Sequence, residues 1–170
     1  MYKDDFVRRG QPNFTKILSY VPGAFSNIRG SKDYPHILGS VKFYQTSFGV
    51  IVNAQISGLP TAQDLCSSSI FAFHIHEGTD CSGNNTDPFA NARTHYNPYD
   101  CPHPYHAGDL PPLFSANGIA FSSFLTNRFT LAEIIGKTVI IHSSIDDFSS
   151  QPSGNAGEKI ACGIILPTKR

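Results

Sequence analysis

The stretch Val50-Ile-Val-Asn-Ala-Gln-Ile-Ser57 decides the fold class of this chain. Alternate positions from Val50 to Ile56 are apolar, and the residues between them are polar except for Ile51. A period of two residues is typical of a β-strand that buries one face, and strands of this kind belong to antiparallel sheets. Phe43 and Tyr44 lie in a similar segment just before it, which we expect to be its hairpin partner.

Short segments of this kind recur from Ala24 onward, separated by Gly, Pro, Asn and Ser. We expect further strands over 70–76, 118–125, 137–142 and 159–166. Helical patterning is confined to Thr130-Leu-Ala-Glu133, a capping-box sequence for one turn, with Gly136 as its stop. The sequence therefore predicts an all-β sandwich or barrel.

Composition bounds the organisation of the chain. Its 170 residues suit one domain, and we predict an N-terminal extension over 1–23, broken by Pro12 and Pro22, followed by a domain over 24–170. The formal net charge of zero argues against nucleic acid or an anionic membrane as a partner. No apolar run approaches the roughly 20 residues of a membrane span. The first residues have mixed charge, unlike a secretory signal, so we expect a cytoplasmic protein.

Six of the seven histidines lie between His74 and His142, whereas His36 is expected at the surface or at a strand end. In Ile70-Phe-Ala-Phe-His-Ile-His76 the two histidines are two positions apart, so they project from one face of a strand and can reach one metal ion. His142 ends the apolar strand that begins at Thr138 and can return to the same site.

The connection from Glu77 to about Pro112 is rich in Gly, Asn, Pro and His, and a loop of this length within a compact domain is usually functional. It contains His95-x7-His103-x2-His106-x2-Asp109. Three imidazoles and one carboxylate make a complete tetrahedral zinc set. The sequence therefore predicts two metal sites, one on strands and one in the loop; a hydrated polar loop is the alternative for the second.

Five motifs carry a family resemblance. They are Phe73-His-Ile-His-Glu-Gly78, His95-Tyr-Asn-Pro98, His106-Ala-Gly-Asp-Leu110, Val139-Ile-Ile-His142 followed by Asp146-Asp147, and Gly154-Asn-Ala-Gly-Glu-Lys-Ile-Ala-Cys-Gly163. In content and order they resemble the copper–zinc superoxide dismutase family over about residues 24 to 168. The resemblance implies an eight-stranded antiparallel Greek-key barrel, an immunoglobulin-like sandwich architecture with a long metal-binding loop. It also implies an enzyme that converts superoxide into oxygen and hydrogen peroxide.

The resemblance further implies the cofactors, copper and zinc, and their ligands. Copper would be held by His74, His76, His95 and His142. Zinc would be held by His95, His103, His106 and Asp109. His95 would bridge the two ions as an imidazolate and take part in catalysis by exchanging a proton. Asp146 would accept hydrogen bonds from His74 and His103 and so orient their rings.

Three features depart from the family pattern. Lys159 stands where the family has an arginine near copper. A lysine keeps the positive charge but lacks the planar set of donors. We therefore expect lowered activity, and an increase in activity in Lys159→Arg. Only two residues separate His103 from His106, fewer than in many relatives. The segment from Phe148 to Gly157 carries no charge, so electrostatic guidance of the anion is expected to be weak.

The resemblance pairs Cys81 with Cys162 in an intrasubunit disulfide. Cys66 and Cys101 have no family counterpart, and a second disulfide, two free thiols and competition of Cys101 for zinc are the alternatives. The family also makes a homodimer an alternative to a monomer. The competing function is a copper- or zinc-binding module of the same fold that is not a dismutase, with a zinc hydrolase ranked last. The complete set of copper ligands favours the enzyme.

Overall fold

The structure is a computed structural model, and it describes residues 13–61, 64 and 69–169. Its strands are β1 (Ala24–Gly30), β2 (Leu38–Thr46), β3 (Gly49–Ser57), β4 (Ile70–Phe71), β5 (Phe73–His76), β6 (Leu113–Ala116), β7 (Ile119–Thr126), β8 (Thr138–His142) and β9 (Lys159–Pro167). Two short helices, α1 (Phe14–Ile17) and α2 (Leu131–Ile134), and a 3₁₀ turn (Ala90–Ala92) accompany them. Within these described ranges, no helix has the length and apolar character that crossing a membrane requires.

The strands form one antiparallel sheet in the order β4-β6-β7-β3-β2-β1-β9-β8-β5. The two ends of this order are consecutive in the chain, since β4 and β5 are separated only by Ala72. β4 pairs with β6 and β5 pairs with β8, so this one segment closes the sheet into a barrel. The pairings β3–β7 and β1–β9 join strands distant in sequence, as Greek-key crossovers require.

The predicted all-β Greek-key barrel is thus confirmed, with one difference in strand count. Segment 70–76 was expected to be a single strand, which gives eight strands, but it divides at Ala72 and gives nine. The N–H of Ala72 donates to the carbonyl of Ser144, and its carbonyl accepts from the N–H of His142. At Ala72 the segment therefore changes its pairing partner from β6 to β8.

The barrel interior is filled by the predicted apolar face of β3. Val50, Val52 and Ala54 are fully buried there. Ile51, the exception to the alternation, is also buried, but on the outside of the barrel. It packs with Tyr44 and with α1, in a cluster completed by Ile17, Phe14, Leu18 and Tyr20. The end of the predicted extension thus covers the β2–β3 hairpin. Residues 1–12 lie outside the described residues, and the boundary predicted between the extension and the domain at residue 23 stays a prediction.

The capping box that precedes β8 forms as the sequence indicated. The carboxylate of Glu133 accepts from the N–H of Thr130 at 2.6 Å, and Gly136 follows with a φ of +87°. α2 therefore ends where predicted and leads the chain into β8, which carries His142 at its end.

A disulfide joins Cys81, near the start of the long loop, to Cys162 in the middle of β9. The Cys162 side chain is packed against Ile140, Phe89 and Ala92. This bond holds the loop beside the barrel wall. Cys101 carries a free thiol, so it is not in a second disulfide, and Cys66 lies outside the described residues.

Candidate metal centre

The strand-borne site lies where β5 and β8 pair. His74 and His76 are on β5, and His142 ends the neighbouring strand β8. With His95 from the loop, they offer four nitrogen atoms that lie within 4.8 Å of one another, and all four residues are buried. The structure thus brings together the four residues predicted as one metal set.

His95 reaches this site because the long loop is hydrogen-bonded to β5. The N–H of Tyr96 donates to the carbonyl of Ile75 at 2.8 Å, and the N–H of Ile75 donates to the carbonyl of Gly108 at 2.9 Å. The N–H of Glu77 bonds the carbonyl of Thr94 in the same way. The loop therefore continues the sheet locally and places His95 opposite His76.

The loop-borne site contains the predicted quartet. The ligand atoms of His95, His103, His106 and Asp109 lie within 4.8 Å of one another. Oδ1 of Asp109 is 2.7 Å from Nδ1 of His95 and 3.2 Å from Nδ1 of His106. Its Oδ2 is 3.1 Å from Nδ1 of His103. The two-residue spacing between His103 and His106 therefore still allows the four groups to converge.

His95 belongs to both sets. Its Nδ1 faces Asp109 in the loop set, whereas its Nε2, on the other side of the ring, is buried without a hydrogen-bond partner. The centre of its ring is 4.0 Å from that of His74 and 4.9 Å from that of His76. The two metal sets consequently share one imidazole.

Asp146 connects the two sets by hydrogen bonds to one histidine of each. It is buried, and its Oδ2 accepts from Nε2 of His74 at 2.8 Å while its Oδ1 accepts from Nε2 of His103 at 2.8 Å. The N–H of Phe148 also donates to Oδ1. These bonds fix which nitrogen of each ring carries the proton and leave the two Nδ1 atoms free to bind metal.

Backbone carbonyls orient the remaining strand-borne rings. Nδ1 of His76 donates to the carbonyl of Arg93 at 2.8 Å, and Nδ1 of His142 donates to the carbonyl of Gly157 at 3.2 Å. In neutral rings both Nε2 atoms then carry lone pairs, and these atoms lie 3.2 Å apart. Two lone pairs at that distance repel each other, and a cation between them would relieve the repulsion.

The charge state of the groups suits metal binding. Burial lowers the pKa of His74 to about 4 and that of His142 to about 3, so both rings are neutral near pH 7. Burial alone would raise the pKa of Asp146, but hydrogen bonds from His74, the Phe148 N–H and His103 lower it to about 2. Asp109 behaves similarly: burial opposes ionisation, and the hydrogen bond and charge of His95 outweigh it, so its pKa is lowered. Metal ligands must be deprotonated, and near pH 7 this holds for His74, His142 and Asp109.

Buried atoms without partners show that a cation fits. Among the described residues, Nδ1 of His74, Nε2 of His95 and Nδ1 of His103 are buried without a hydrogen bond, which is costly for polar atoms unless something else satisfies them. The 3.1 Å approach of His103 to Asp109 does not have hydrogen-bond geometry. Four imidazoles suit copper, and three imidazoles with one carboxylate suit zinc. The residues present therefore fit both ions.

A cavity of about 530 Å³ opens beside the strand-borne set and is lined by His76, His95, His142, Arg93, Asp87 and Lys159, among others. Lys159 thus lies at the site, as predicted. Its ammonium group, however, lies 2.6 Å from Oδ2 of Asp87 and donates to the carbonyl of Phe89 at 3.3 Å. Asp87 was not predicted, because 72 positions separate it from Lys159 and no local pattern connects the two residues.

Two further residues that hold the loop were not predicted. Nη1 of Arg128 donates to the carbonyls of Pro104, His106 and Asp109 at 3.0–3.3 Å. The side-chain amide of Gln151 donates to the carbonyl of His103 and accepts from its N–H. Neither residue lies in a motif, so only the folded chain reveals their contacts.

Comparisons with known proteins agree with this geometry. Residues 37–165 match the model of the family described as copper/zinc superoxide dismutase. A copper–zinc superoxide dismutase of Aquifex aeolicus is 33% identical, with 76% of this chain and 79% of that protein covered. One from Legionella pneumophila is also 33% identical, with 77% and 79% covered. The extracellular enzyme of Mus musculus is 33% identical over 78% of this chain and 55% of its own length. The chain therefore belongs to the copper/zinc superoxide dismutase family and is an enzyme of this type, with copper and zinc as its cofactors.

Proposed function

We propose that this chain disproportionates superoxide to oxygen and hydrogen peroxide, with copper held by the strand-borne set, zinc held by the loop-borne set, and the imidazolate of His95 between them. The observation that carries the proposal is the shared position of His95, whose Nδ1 faces the loop set while its buried Nε2 lacks a partner. Two cations on one ring favour loss of its second proton.

Copper, when bound, supplies the one-electron redox chemistry, whereas zinc has none. The protein contributes proton handling and fixed geometry. His95 borders the cavity, so its Nε2, when not bound to copper, would hold a proton and pass it to a reduced oxygen species there, and the second proton of hydrogen peroxide would come from water. Meanwhile the ring stays anchored at Nδ1 by the loop set. Asp146 and the Arg93 carbonyl keep the neighbouring rings oriented throughout.

Lys159 is the proposed contact for the superoxide anion. Its side chain is 14% exposed and lines the cavity, so an anion beside the strand-borne set would meet it. Asp87 offsets part of its charge, because the two groups form an ion pair at 2.6 Å. That ion pair favours the competing function, a copper- or zinc-binding module of the same fold, since such a module needs no anion attraction.

A metal analysis combined with a superoxide-consumption assay separates these two functions. Protein loaded with copper and zinc should consume superoxide catalytically. His142→Gln should lose copper and activity, while the matched control His36→Gln, at an exposed site away from both sets, should retain both. Full copper occupancy in the unmodified protein without catalytic consumption would contradict the dismutase proposal and leave the binding module.

The remaining expectations about partners and compartment stay predictions. The relatives include an extracellular enzyme as well as bacterial ones, so the cytoplasmic location expected from the first residues is untested. A homodimer is likewise untested. Superoxide is the only small-molecule partner that we propose.

A further inference from the structure

Arg93 occupies a backbone conformation that suits glycine. Its φ is 62° and its ψ is −141°, at the end of the 3₁₀ turn Ala90–Ala92. A side chain with a Cβ rarely adopts this region, and residues held there cost stability and cluster at functional sites. Replacement by glycine would remove the strain, so the arginine side chain needs another explanation.

The backbone of Arg93 is already committed to the metal centre. Its carbonyl accepts from Nδ1 of His76 at 2.8 Å, and its N–H donates to the carbonyl of Ala90 at 3.0 Å. Any residue except proline could supply these two groups, so they account for the backbone position but not for the side chain. Arg93 also lies two residues before His95 in the chain.

The Arg93 side chain is exposed and lines the cavity beside the strand-borne set. Within the described ranges, no hydrogen bond or ion pair engages its guanidinium group. The other cation of the cavity wall, Lys159, is paired with Asp87 at 2.6 Å. The remaining acid of the wall, Glu158, accepts a hydrogen bond from Tyr34.

The net charge of the side chains that line the cavity therefore depends on Arg93. Lys159 and Asp87 cancel, and Arg93 cancels Glu158. Without Arg93 the side chains of the wall would carry a net charge of −1, which would offset part of the attraction that the bound cations exert on an anionic substrate. With Arg93 in place, an exposed guanidinium group lines the cavity, while the carboxylate of Glu158 is hydrogen-bonded to Tyr34. A cleft with this arrangement attracts anions from solution.

We propose that Arg93 is the residue that attracts the superoxide anion into the cavity, a task that Lys159 cannot perform alone while it is bound to Asp87. The inference rests on the proposed function and specifies its substrate-guiding residue. The backbone strain at Arg93 is retained because the guanidinium is needed at this place. The guanidinium group of Arg93 acts on the substrate's approach, whereas its backbone carbonyl orients His76.

Removal of the charge should slow association at low salt. A unit charge within about 10 Å of the approaching anion changes the rate roughly two- to tenfold at effective dielectric constants between those of the protein surface and water. Arg93→Gln should therefore reduce the second-order rate constant with superoxide about two- to tenfold at low ionic strength. The difference should shrink as salt screens the charge. Arg93→Lys should restore most of the rate.

Two readouts other than activity accompany the rate. Arg93→Gln should weaken the binding of azide, a small-anion probe, to the copper-loaded protein by a similar factor in a visible-absorbance titration. Arg93→Gly should bind azide equally weakly, yet raise the Tm of the metal-free protein by roughly 2–10 °C through relief of the backbone strain. Lys169→Gln, an exposed charge removal beyond the far end of β9, is the matched control and should change none of these values.

The outcomes are distinguishable. If the unmodified, fully loaded protein consumes no superoxide, the proposed function fails. If it is active, but Arg93→Gln leaves the rate constant, its salt dependence and azide affinity the same as in the Lys169→Gln control, the role of Arg93 fails alone. Equal losses in Arg93→Gln and Arg93→Lys would also overturn it, because they would show that shape and not charge matters.

Discussion

Asp146→Leu tests whether one carboxylate supports both metal sets. The substitution keeps a side chain branched at Cγ at a buried position but removes both oxygens that accept from His74 and His103, each at 2.8 Å. Without these bonds the two rings can rotate and change tautomer, so their Nδ1 atoms are no longer held toward the metals. The N–H of Phe148 also loses its acceptor.

The expected magnitude follows from the number of bonds lost at each site. Loss of such an outer hydrogen bond typically lowers metal affinity 10- to 100-fold. Asp146 supplies one bond to each set, so copper and zinc should each bind about 10- to 100-fold more weakly, which corresponds to roughly 1.4–2.8 kcal/mol per site. The simultaneous loss at both sites is the distinguishing feature, because a ligand used by one set, such as Asp109, affects its own site first.

Chelator-competition titrations of copper and of zinc measure both affinities. Asp147→Asn is the matched control, since this neighbouring carboxylate is exposed and, among the residues that the structure describes, accepts only from Ser149 and Ser150 in its own loop. Its affinities should equal those of the unmodified protein. If Asp146→Leu retained both affinities within about threefold of the control, the reasoning that Asp146 orients the two rings would be refuted.

Three other changes have defined outcomes. Asp87→Asn frees the charge of Lys159 and should raise the rate constant with superoxide about two- to tenfold at low salt; an unchanged rate would show that the ion pair does not restrain Lys159. In the metal-free protein, acidification from about pH 6.5 to 4 should lower the free energy of unfolding, because the unfolded chain protonates His74 while burial keeps the folded ring neutral. Urea titrations at several pH values measure this change. A free energy of unfolding that does not vary with pH over this range would contradict it. Cys81→Ser opens an 81-residue loop and should lower the free energy of unfolding by roughly 3–5 kcal/mol, with a change below 1 kcal/mol as the contrary result.

Local patterns carried most of the prediction. The two-residue period identified β3, and the capping box at Thr130 identified α2, because both signals lie within one element. Ile51 broke the period for a reason outside its strand, namely the cover supplied by α1. The division of segment 70–76 was equally invisible, since it depends on which neighbours pair on either side of Ala72.

The site divides in the same way. Histidine spacing identified His74 and His76 as a pair and the loop quartet as a set, because residues at period two on a strand or at short spacing in a loop lie close together. The place of His95 in the strand-borne set was implied only by the family resemblance. The residues that hold and charge the site come from elsewhere. Arg128 and Gln151 bond backbone groups of the loop, and Asp87 binds Lys159 across a long sequence separation. Such contacts have no periodicity, so they emerge only when the chain is folded.

We propose that one imidazole, that of His95, binds both ions. Electron paramagnetic resonance tests this bridge directly when the protein is loaded with Cu²⁺ in the strand-borne set and Co²⁺ in the loop-borne set, since a shared imidazolate couples the two spins. We expect the signal of isolated Cu²⁺ to be strongly reduced in this derivative and to return when Zn²⁺ replaces Co²⁺. An undiminished Cu²⁺ signal with both sites fully occupied would contradict the bridge and the mechanism built on it.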